Sequence, residues 1–359
     1  MFLWLCFPLS FLLVLLARLD NHWVEKFFVP YLYKPTSAVI GSFTSLFPFS
    51  LTELVFCLAV IGIILYIVYF VRLLIKEKSK RKHHLYRLFV NAVSVLSVGL
   101  LLFQLTMGLN YYRFEIKDYL GVEIKNRPVS ELYDLCDKLI SDLNLYRKEL
   151  RKDENGITLL SDTDRYETSL SAAKAYKSLS QKIPVLKSAN IRNKPLVSSR
   201  LFSSVLTTGI YIPIVFESNI NVDVPEFTIP ATMCHELTHF RGFMRENEAN
   251  FLGYLACMES DRADFKYSGT LIAFGYCFSA LYDADENLAK SLRQKLDSGV
   301  IDDVLYEDEY WAPYRNTVVA NVSGTVYEEY LQSNNQQSGL KSYGEMVDLM
   351  LAWYARYCK

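Results

Sequence analysis

Three long apolar runs in the first third of the chain constrain its fold more than any other feature. They are Phe2 to Ala17, Leu54 to Leu74 and Leu88 to Leu109. At a helical rise of about 1.5 Å per residue, the second and third can cross a hydrocarbon core roughly 30 Å thick. The first lacks the basic start and cleavage site of a signal peptide, so we interpret it as a third, uncleaved transmembrane helix. A hydrophobic content of 51% agrees with a chain that meets lipid.

The basic segment between the second and third runs predicts the orientation of the chain in a cell membrane. It reads KEKSKRKHHLYR and covers residues 76–87. Short loops rich in lysine and arginine stay on the cytoplasmic side. We therefore expect a cytoplasmic N-terminus, a multi-pass membrane domain at residues 1–110 and an extracytoplasmic domain at residues 111–359. The formal net charge of −1 gives no overall basic field, so the lipid bilayer is an expected partner and nucleic acid is not.

The outer domain is predicted to be α+β, mostly α with a small sheet. Helical periodicity covers residues 130–152, residues 169–181 and most of the chain after Phe227. The segment TGIYIPIVFESNINV, residues 208–222, is rich in the β-branched and aromatic residues that favour strands. Pro213 cannot donate a ladder hydrogen bond, so we expect an edge strand or a bulge there.

The stretch CHELTHFRGFMRENEANF, residues 234–251, holds the side chains best suited to chemistry. His235 and His239 are four residues apart, so on a helix both imidazoles face one side and can bind one cation. Glu236 is rotated from His235 by about 100° at 3.6 residues per turn. That rotation directs its carboxylate at a water molecule rather than at the ion. This is the HExxH arrangement.

A third ligand is expected from the helix that follows. Gly242 can end the first helix in the left-handed conformation, and a second helix can start near Arg245. A catalytic zinc ion takes three protein ligands and keeps one open position. From the sequence the carboxylate of Glu246 or that of Glu248 can supply the third ligand.

HELTH followed by ENEAN resembles the gluzincin metallopeptidases, whose second helix often reads E-x-x-A-D or E-x-x-A-N. The resemblance implies a zincin-like domain with bound Zn²⁺, with Glu246 as the third ligand and Asn250 orienting a ligating histidine. Glu248 stays as the alternative, because NEA also resembles the thermolysin type, although that type expects an aspartate at Leu252. The three apolar runs, the HExxH region and the late SYGEMVDLM also resemble a bacterial membrane family catalogued as domain of unknown function 3810.

The resemblance implies a membrane-anchored zinc peptidase that acts on a peptide or protein substrate. Glu236 is expected to take a proton from the attacking water and pass it to the leaving amine. The developing oxyanion needs a further donor, and no histidine follows His239 in the chain. A tyrosine or arginine is therefore expected to serve; the candidates are Tyr327, Tyr330, Tyr343 and Arg315, of which Tyr330 is preferred.

Two further expectations concern the substrate and the alternative function. The extended chain from Ile210 to Phe216 can pair with an extended substrate by β-augmentation. The alternative to a peptidase is a non-proteolytic zinc-binding sensor or scaffold of the cell envelope. The intact Glu236 favours the peptidase, because a sensor has no need of a general base.

Overall fold

The computed structural model describes residues 3–336 and 343–358, and most of them are helical. A π-helical segment covers Val24–Tyr33. The α-helices, in chain order, are α1 Cys6–Leu19, α2 Lys34–Thr44, α3 Leu51–Lys76, α4 Arg81–Thr106, α5 Ile116–Leu120, α6 Val129–Lys148, α7 Arg165–Lys182, α8 Ser199–Ser204, α9 Ile229–Phe240, α10 Glu246–Met258, α11 Ala263–Ala284, α12 Glu286–Arg293, α13 Ser298–Trp311, α14 Val318–Ser333 and α15 Tyr343–Tyr357. The strands are β1 Lys194–Pro195, β2 Gly209–Ile212 and β3 Glu217–Ile220. The predicted mostly helical chain with a small sheet is confirmed.

Within the described residues, two helices are long and apolar enough to cross a membrane, α3 and α4. Asn91 Nδ2 on α4 donates a hydrogen bond to the Tyr66 hydroxyl on α3 at 3.0 Å. The connection between them is short, since a 3-10 turn at Lys78–Lys80 leads directly into α4. The first apolar run forms α1, which is shorter than a span and packs against α4. A third transmembrane helix is therefore not confirmed.

The segment between α1 and α3 packs into the same core as the C-terminal helices. Its π-helix contributes four buried side chains, Val24, Phe28, Val29 and Tyr33. The Tyr33 hydroxyl lies 3.1 Å from the carbonyl oxygen of His239 and 3.2 Å from that of Phe240. Residues assigned from the sequence to a membrane domain at 1–110 thus help to build the globular part, and the boundary at residue 110 stays a prediction.

The sheet is mixed and has the strand order β1-β3-β2. Strand β1 is parallel to β3, whereas β2 is antiparallel to it, with Ile210 opposite Asn219. Strand β2 is therefore an edge strand, but Pro213 lies just after it, in the turn that leads to β3. The strand does not continue to Phe216: it ends at Ile212, and Phe216 has a φ of 49° in the turn that leads to β3.

The first turn of α3 is fixed to the sheet region by two glutamates. Glu217 on β3 is buried, and its carboxylate accepts hydrogen bonds from the Thr52 amide and hydroxyl, both at 2.8 Å. Glu53 accepts hydrogen bonds from the amides of Val197 and Ser198 at 2.9 and 2.8 Å. A carboxylate near a helix N-terminus also interacts favourably with the helix dipole. The start of α3 thus has a defined position relative to β3 and α8.

Asp303 joins three parts of the helical core. It is fully buried, and its carboxylate accepts hydrogen bonds from Arg147 Nε at 2.9 Å, the Tyr267 hydroxyl at 2.6 Å and the Thr158 amide at 2.8 Å. Breaking a buried ion pair from one side leaves an uncompensated charge. We expect Asp303→Asn to lower the free energy of unfolding by about 3–5 kcal/mol, measured by denaturant titration of the detergent-solubilised protein.

The neighbouring Asp302 gives the matched control. It is exposed on α13, and surface substitutions of this kind change the free energy of unfolding by about 0.5 kcal/mol or less. Equal denaturation midpoints for Asp303→Asn and Asp302→Asn would contradict the role given to the buried carboxylate.

Candidate metal centre

Helices α9 and α10 form a tight hairpin that carries the HExxH residues. Pro230 stands in the first turn of α9, where its missing amide hydrogen costs nothing. Gly242 ends the helix with a φ of +84°. A Cβ atom there would lie 2.9 Å from Arg113 Nη1 and 2.9 Å from Tyr33 Cε1, so both the conformation and the space require glycine. Helix α10 then begins at Glu246, next to the start near Arg245 that was predicted for the second helix.

The hairpin brings His235, His239 and Glu246 together. The Nε2 atoms of the two histidines are 3.1 Å apart. Glu246 Oε2 lies 3.2 Å from His235 Nε2, and Glu246 Oε1 lies 3.6 Å from His239 Nε2. One ligand atom from each residue lies within 4.8 Å of the other two. Glu246 is the first residue of α10, where the helix dipole favours a carboxylate.

The other ring nitrogens of both histidines have hydrogen-bond partners. His235 Nδ1 lies 2.8 Å from Asn250 Oδ1, and His239 Nδ1 lies 2.9 Å from the carbonyl oxygen of Phe243. A carbonyl oxygen can only accept, so each Nδ1 carries the proton in these bonds. In the neutral form of each ring, Nε2 therefore points a lone pair at the shared space. Asn250 takes the orienting position that the gluzincin resemblance implied for it.

The pKa values of the three clustered residues depend on burial and on one another's charges. Burial opposes charge on His235, but the hydrogen bond and charge of Glu246 raise the pKa of His235 to about 9. Burial lowers the pKa of His239 to about 4. Burial alone would raise the pKa of Glu246, yet the hydrogen bond from His235 and the charges of both histidines lower it to about 2. The site thus accommodates one positive charge between two imidazoles and one carboxylate.

The donor set fits a divalent cation. Two neutral imidazole nitrogens that face each other at 3.1 Å repel unless a proton or a cation lies between them. Two imidazoles and a carboxylate form a ligand set that divalent transition metals take. Both Nδ1 atoms have other hydrogen-bond partners, so only the two Nε2 atoms are available to a cation. The donor set therefore fits a cation in the orientation of these nitrogens as well as in their distances.

Glu236 lies beside the cluster and against the edge strand. Its side chain is buried, and Oε2 has no hydrogen-bond partner. Burial is the main cause that raises the pKa of this carboxyl to about 8. A Cβ atom at Gly209 on β2 would lie 2.7 Å from Glu236 Oε1, so the glycine makes room for the carboxylate. A buried carboxylate with a pKa near neutrality can accept and release a proton.

Glu248, the alternative third ligand, is engaged elsewhere. Its carboxylate accepts a hydrogen bond from the Ile116 amide at 2.6 Å and lies 3.6 Å from Arg245 Nη1. The contact with Ile116 ties α10 to α5, whereas the pair with Arg245 is local to the start of α10. Of the two glutamates that the sequence left open, Glu246 is the one that lies beside the imidazoles.

Among the candidate oxyanion donors, Tyr327 lies nearest the cluster. It forms a hydrogen bond with the Glu246 carboxylate, and its ring stacks on Tyr330 with centroids 6.2 Å apart. The Tyr330 hydroxyl instead lies 3.2 Å from both the Tyr111 hydroxyl and Met107 Sδ. These contacts favour Tyr327, and the preference for Tyr330 stays a prediction.

Of the two other candidates, only Arg315 has described side-chain contacts. Arg315 forms an exposed ion pair with Asp308. The side chain of Tyr343 lies outside the described residues.

Residues that the sequence did not single out hold the end of the motif helix. Arg113 is buried, donates to the carbonyl oxygen of Arg241 at 3.0 Å and pairs with Glu25 at 3.1 Å. The Tyr33 hydroxyl is 3.3 Å from that of Tyr211, whose ring lies against His239. No local pattern marks these residues, because their partners are distant in the chain.

Comparison with known proteins gives a family for the chain. The searches of curated proteins and of solved structures gave no significant match. The profile of a family described as protein of unknown function (DUF3810) matches residues 28–351. The match covers the two long apolar helices, the HExxH hairpin and most of α15. The chain therefore belongs to the DUF3810 family.

Proposed function

We propose that the protein is a membrane-anchored, zinc-dependent peptidase. The observation that carries this proposal is the convergence of two imidazole lone pairs and the Glu246 carboxylate, next to a buried carboxylate that is not part of the cluster. Metal-binding residues alone would also suit a structural site. An additional carboxylate beside the ligands, with one oxygen that has no hydrogen-bond partner, is what hydrolysis requires and a structural site does not.

The proposed ligands are His235, His239 and Glu246, with Asn250 and the Phe243 carbonyl holding the imidazoles in the required tautomer. When bound, zinc supplies a Lewis acid that acidifies water and polarises a carbonyl group. Glu236 takes a proton from the attacking water at its carboxylate and returns it to the nitrogen of the leaving amine. Tyr327, rather than Tyr330, is the tyrosine whose position suits interaction with the reacting carbonyl.

Strand β2 is the proposed binding edge for an extended peptide. It is an edge strand, and its Gly209 lies directly against Glu236. A peptide that adds to this edge would gain main-chain hydrogen bonds. Its scissile bond would then pass close to the general base. The basic segment at 76–87 supports a placement in which this site is extracytoplasmic and the N-terminus is cytoplasmic.

The direct test of this function uses the full-length protein in lipid nanodiscs and a library of quenched fluorescent peptides. The proposal predicts cleavage that a chelator abolishes and added zinc restores. Stoichiometric zinc without cleavage of any library member would instead support the sensor or scaffold. A chain that binds no zinc would refute both.

The orientation of His235 provides a prediction of its own. We expect Asn250→Ala to weaken zinc binding by about 10–100-fold, because the Nδ1 proton of His235 loses its acceptor and the ring is no longer held. Competition with a fluorescent chelator measures the affinity. Asn250→Asp keeps an acceptor at the same place and should retain the affinity within a few fold. Unchanged zinc affinity in both variants would refute the role of Asn250.

A further inference from the structure

Two apolar patches outside the metal centre face away from the protein. The first lies at α8, where Val197 is 92% exposed and Leu201 is 66% exposed. The second is a face of α14 formed by Val318, Val322 and Val326, which are between 58% and 78% exposed. Residues at i, i+4 and i+8 share one face of a helix. No charged residue occurs from Val318 to Tyr327, which is unusual for a water-facing helix.

The patch at α8 lies beside the start of the apolar helix α3. Glu53, in the first turn of α3, accepts hydrogen bonds from the amides of Val197 and Ser198. Ser198 also donates its hydroxyl to Glu53 at 2.5 Å. Val197 and Leu201 therefore lie at the level where α3 leaves the region that a bilayer would occupy.

The C-terminal end of α14 lies beside the last turn of α4. The ring of Tyr330 packs edge to face against Phe103, with centroids 6.2 Å apart. Its hydroxyl lies 3.2 Å from Met107 Sδ, at the end of that helix. Phe103 is three residues before the end of α4, so this end of α14 lies at the same membrane boundary as the start of α3.

The N-terminal end of α14 connects to α8. The Tyr310 hydroxyl is 2.7 Å from Ser203 Oγ on α8, and the rings of Tyr310 and Tyr314 are 5.8 Å apart. Thr317, which caps α14, donates its hydroxyl to the carbonyl oxygen of Tyr314. One end of α14 is thus tied to the neighbourhood of α3 and the other to α4. Because both ends of α14 contact residues at the same membrane boundary, the helix runs along the membrane surface.

We propose that α8 and α14 form an interfacial surface that rests in the headgroup region of the bilayer. Its members are Val197, Leu201, Val318, Val322 and Val326. The surface is continuous with the two apolar helices, and amphipathic helices in this setting bury their apolar face about 5–10 Å into the interface. Glu329 ends the valine face at its C-terminal side, where headgroups and water can solvate its charge. The proposal depends on the insertion of α3 and α4 and is independent of peptidase activity.

Depth measurements with spin labels test the proposal on the full-length protein in nanodiscs. Single cysteines at Leu201 and Val322 carry a nitroxide, in a background where Cys6, Cys57 and Cys358 are serine. The matched control is a label at Lys290 on α12, an exposed residue of a helix that packs on α6 and α11. Collision rates are measured with oxygen, which enters lipid, and with a water-soluble nickel complex.

We expect the ratio of oxygen to nickel collisions at positions 201 and 322 to exceed that at 290 by roughly fivefold or more. Nickel collisions as frequent as those at 290 would overturn the proposal. Dipolar broadening between labels on two copies would overturn it as well, since a second protein chain would then cover the surface. If one label prevents folding, judged by the unfolding transition, Val326 replaces it on the same surface.

Discussion

Replacing Glu236 with glutamine is expected to lower kcat by about 10²–10⁴-fold while the zinc content stays at the wild-type level. Glutamine fills the same space against Gly209 but cannot accept a proton. The side chain is also separate from the ligand cluster of His235, His239 and Glu246. Catalysis and metal binding should therefore separate in this variant. Steady-state cleavage in nanodiscs and metal analysis of the same sample measure the two effects.

The pH dependence of the wild type should agree with this role. Burial raises the pKa of Glu236 to about 8 in the metal-free site, and a bound cation would lower it. Activity should fall as the pH drops through the resulting pKa, because the protonated carboxyl can no longer accept a proton. A Glu236→Gln variant with unchanged kcat, or one that loses zinc and activity together, would contradict the assignment of a general base.

Replacing Glu246 with glutamine is expected to weaken zinc binding by more than about 100-fold, the upper end of the range for outer-shell partners. The substitution removes the carboxylate charge that faces both imidazoles. Glu248→Gln is the matched control, two residues away on the same helix and also buried. Its side chain contacts the Ile116 amide and Arg245, so zinc affinity should not change. Chelator competition compares the two variants.

The opposite outcome would reverse the assignment. If Glu248→Gln released the metal and Glu246→Gln retained it, the thermolysin-type alternative would hold and α10 would have to rotate. Glu248→Gln still affects the contact with the Ile116 amide, so its effect on stability is measured separately by denaturant titration. Equal zinc affinities in both variants and the wild type would exclude a carboxylate ligand from this helix.

Local sequence patterns predict part of this structure well. The i, i+4 spacing of His235 and His239 and the glycine at 242 depend only on helix geometry and backbone conformation, so the helical hairpin follows from them. Pro213 ends strand β2 and begins the turn to β3, whereas the edge position of β2 depends on the pairing of the whole sheet. Helix geometry alone could not identify Glu246 as the third ligand, because Glu248 lies on the same helix and fits the spacing nearly as well. The gluzincin resemblance favoured Glu246 because of the motif E-x-x-A-N, which helical periodicity does not predict.

Other features depend on contacts between distant parts of the chain. Tyr327 and Tyr330 are three residues apart on one helix, and only the packing of α14 against Phe103 and Tyr111 determines which hydroxyl faces Glu246. The π-helix after α1 packs against the end of α9 through Tyr33, 206 residues before His239, and no local pattern pairs the two segments. The charge of Arg113 is balanced by Glu25, 88 residues earlier, and no pattern in the sequence pairs them.

X-ray absorption at the zinc edge tests the central claim most directly, using the full-length wild-type protein with its metal content determined beforehand. The account predicts one zinc ion per chain, with two imidazole nitrogens at about 2.0–2.1 Å, a carboxylate oxygen at about 2.0–2.2 Å and no sulfur ligand. It also predicts that Glu236→Gln gives the same ligand set. A chain that is free of metal after exposure to zinc, or a zinc ion bound by cysteine thiolates, would contradict it.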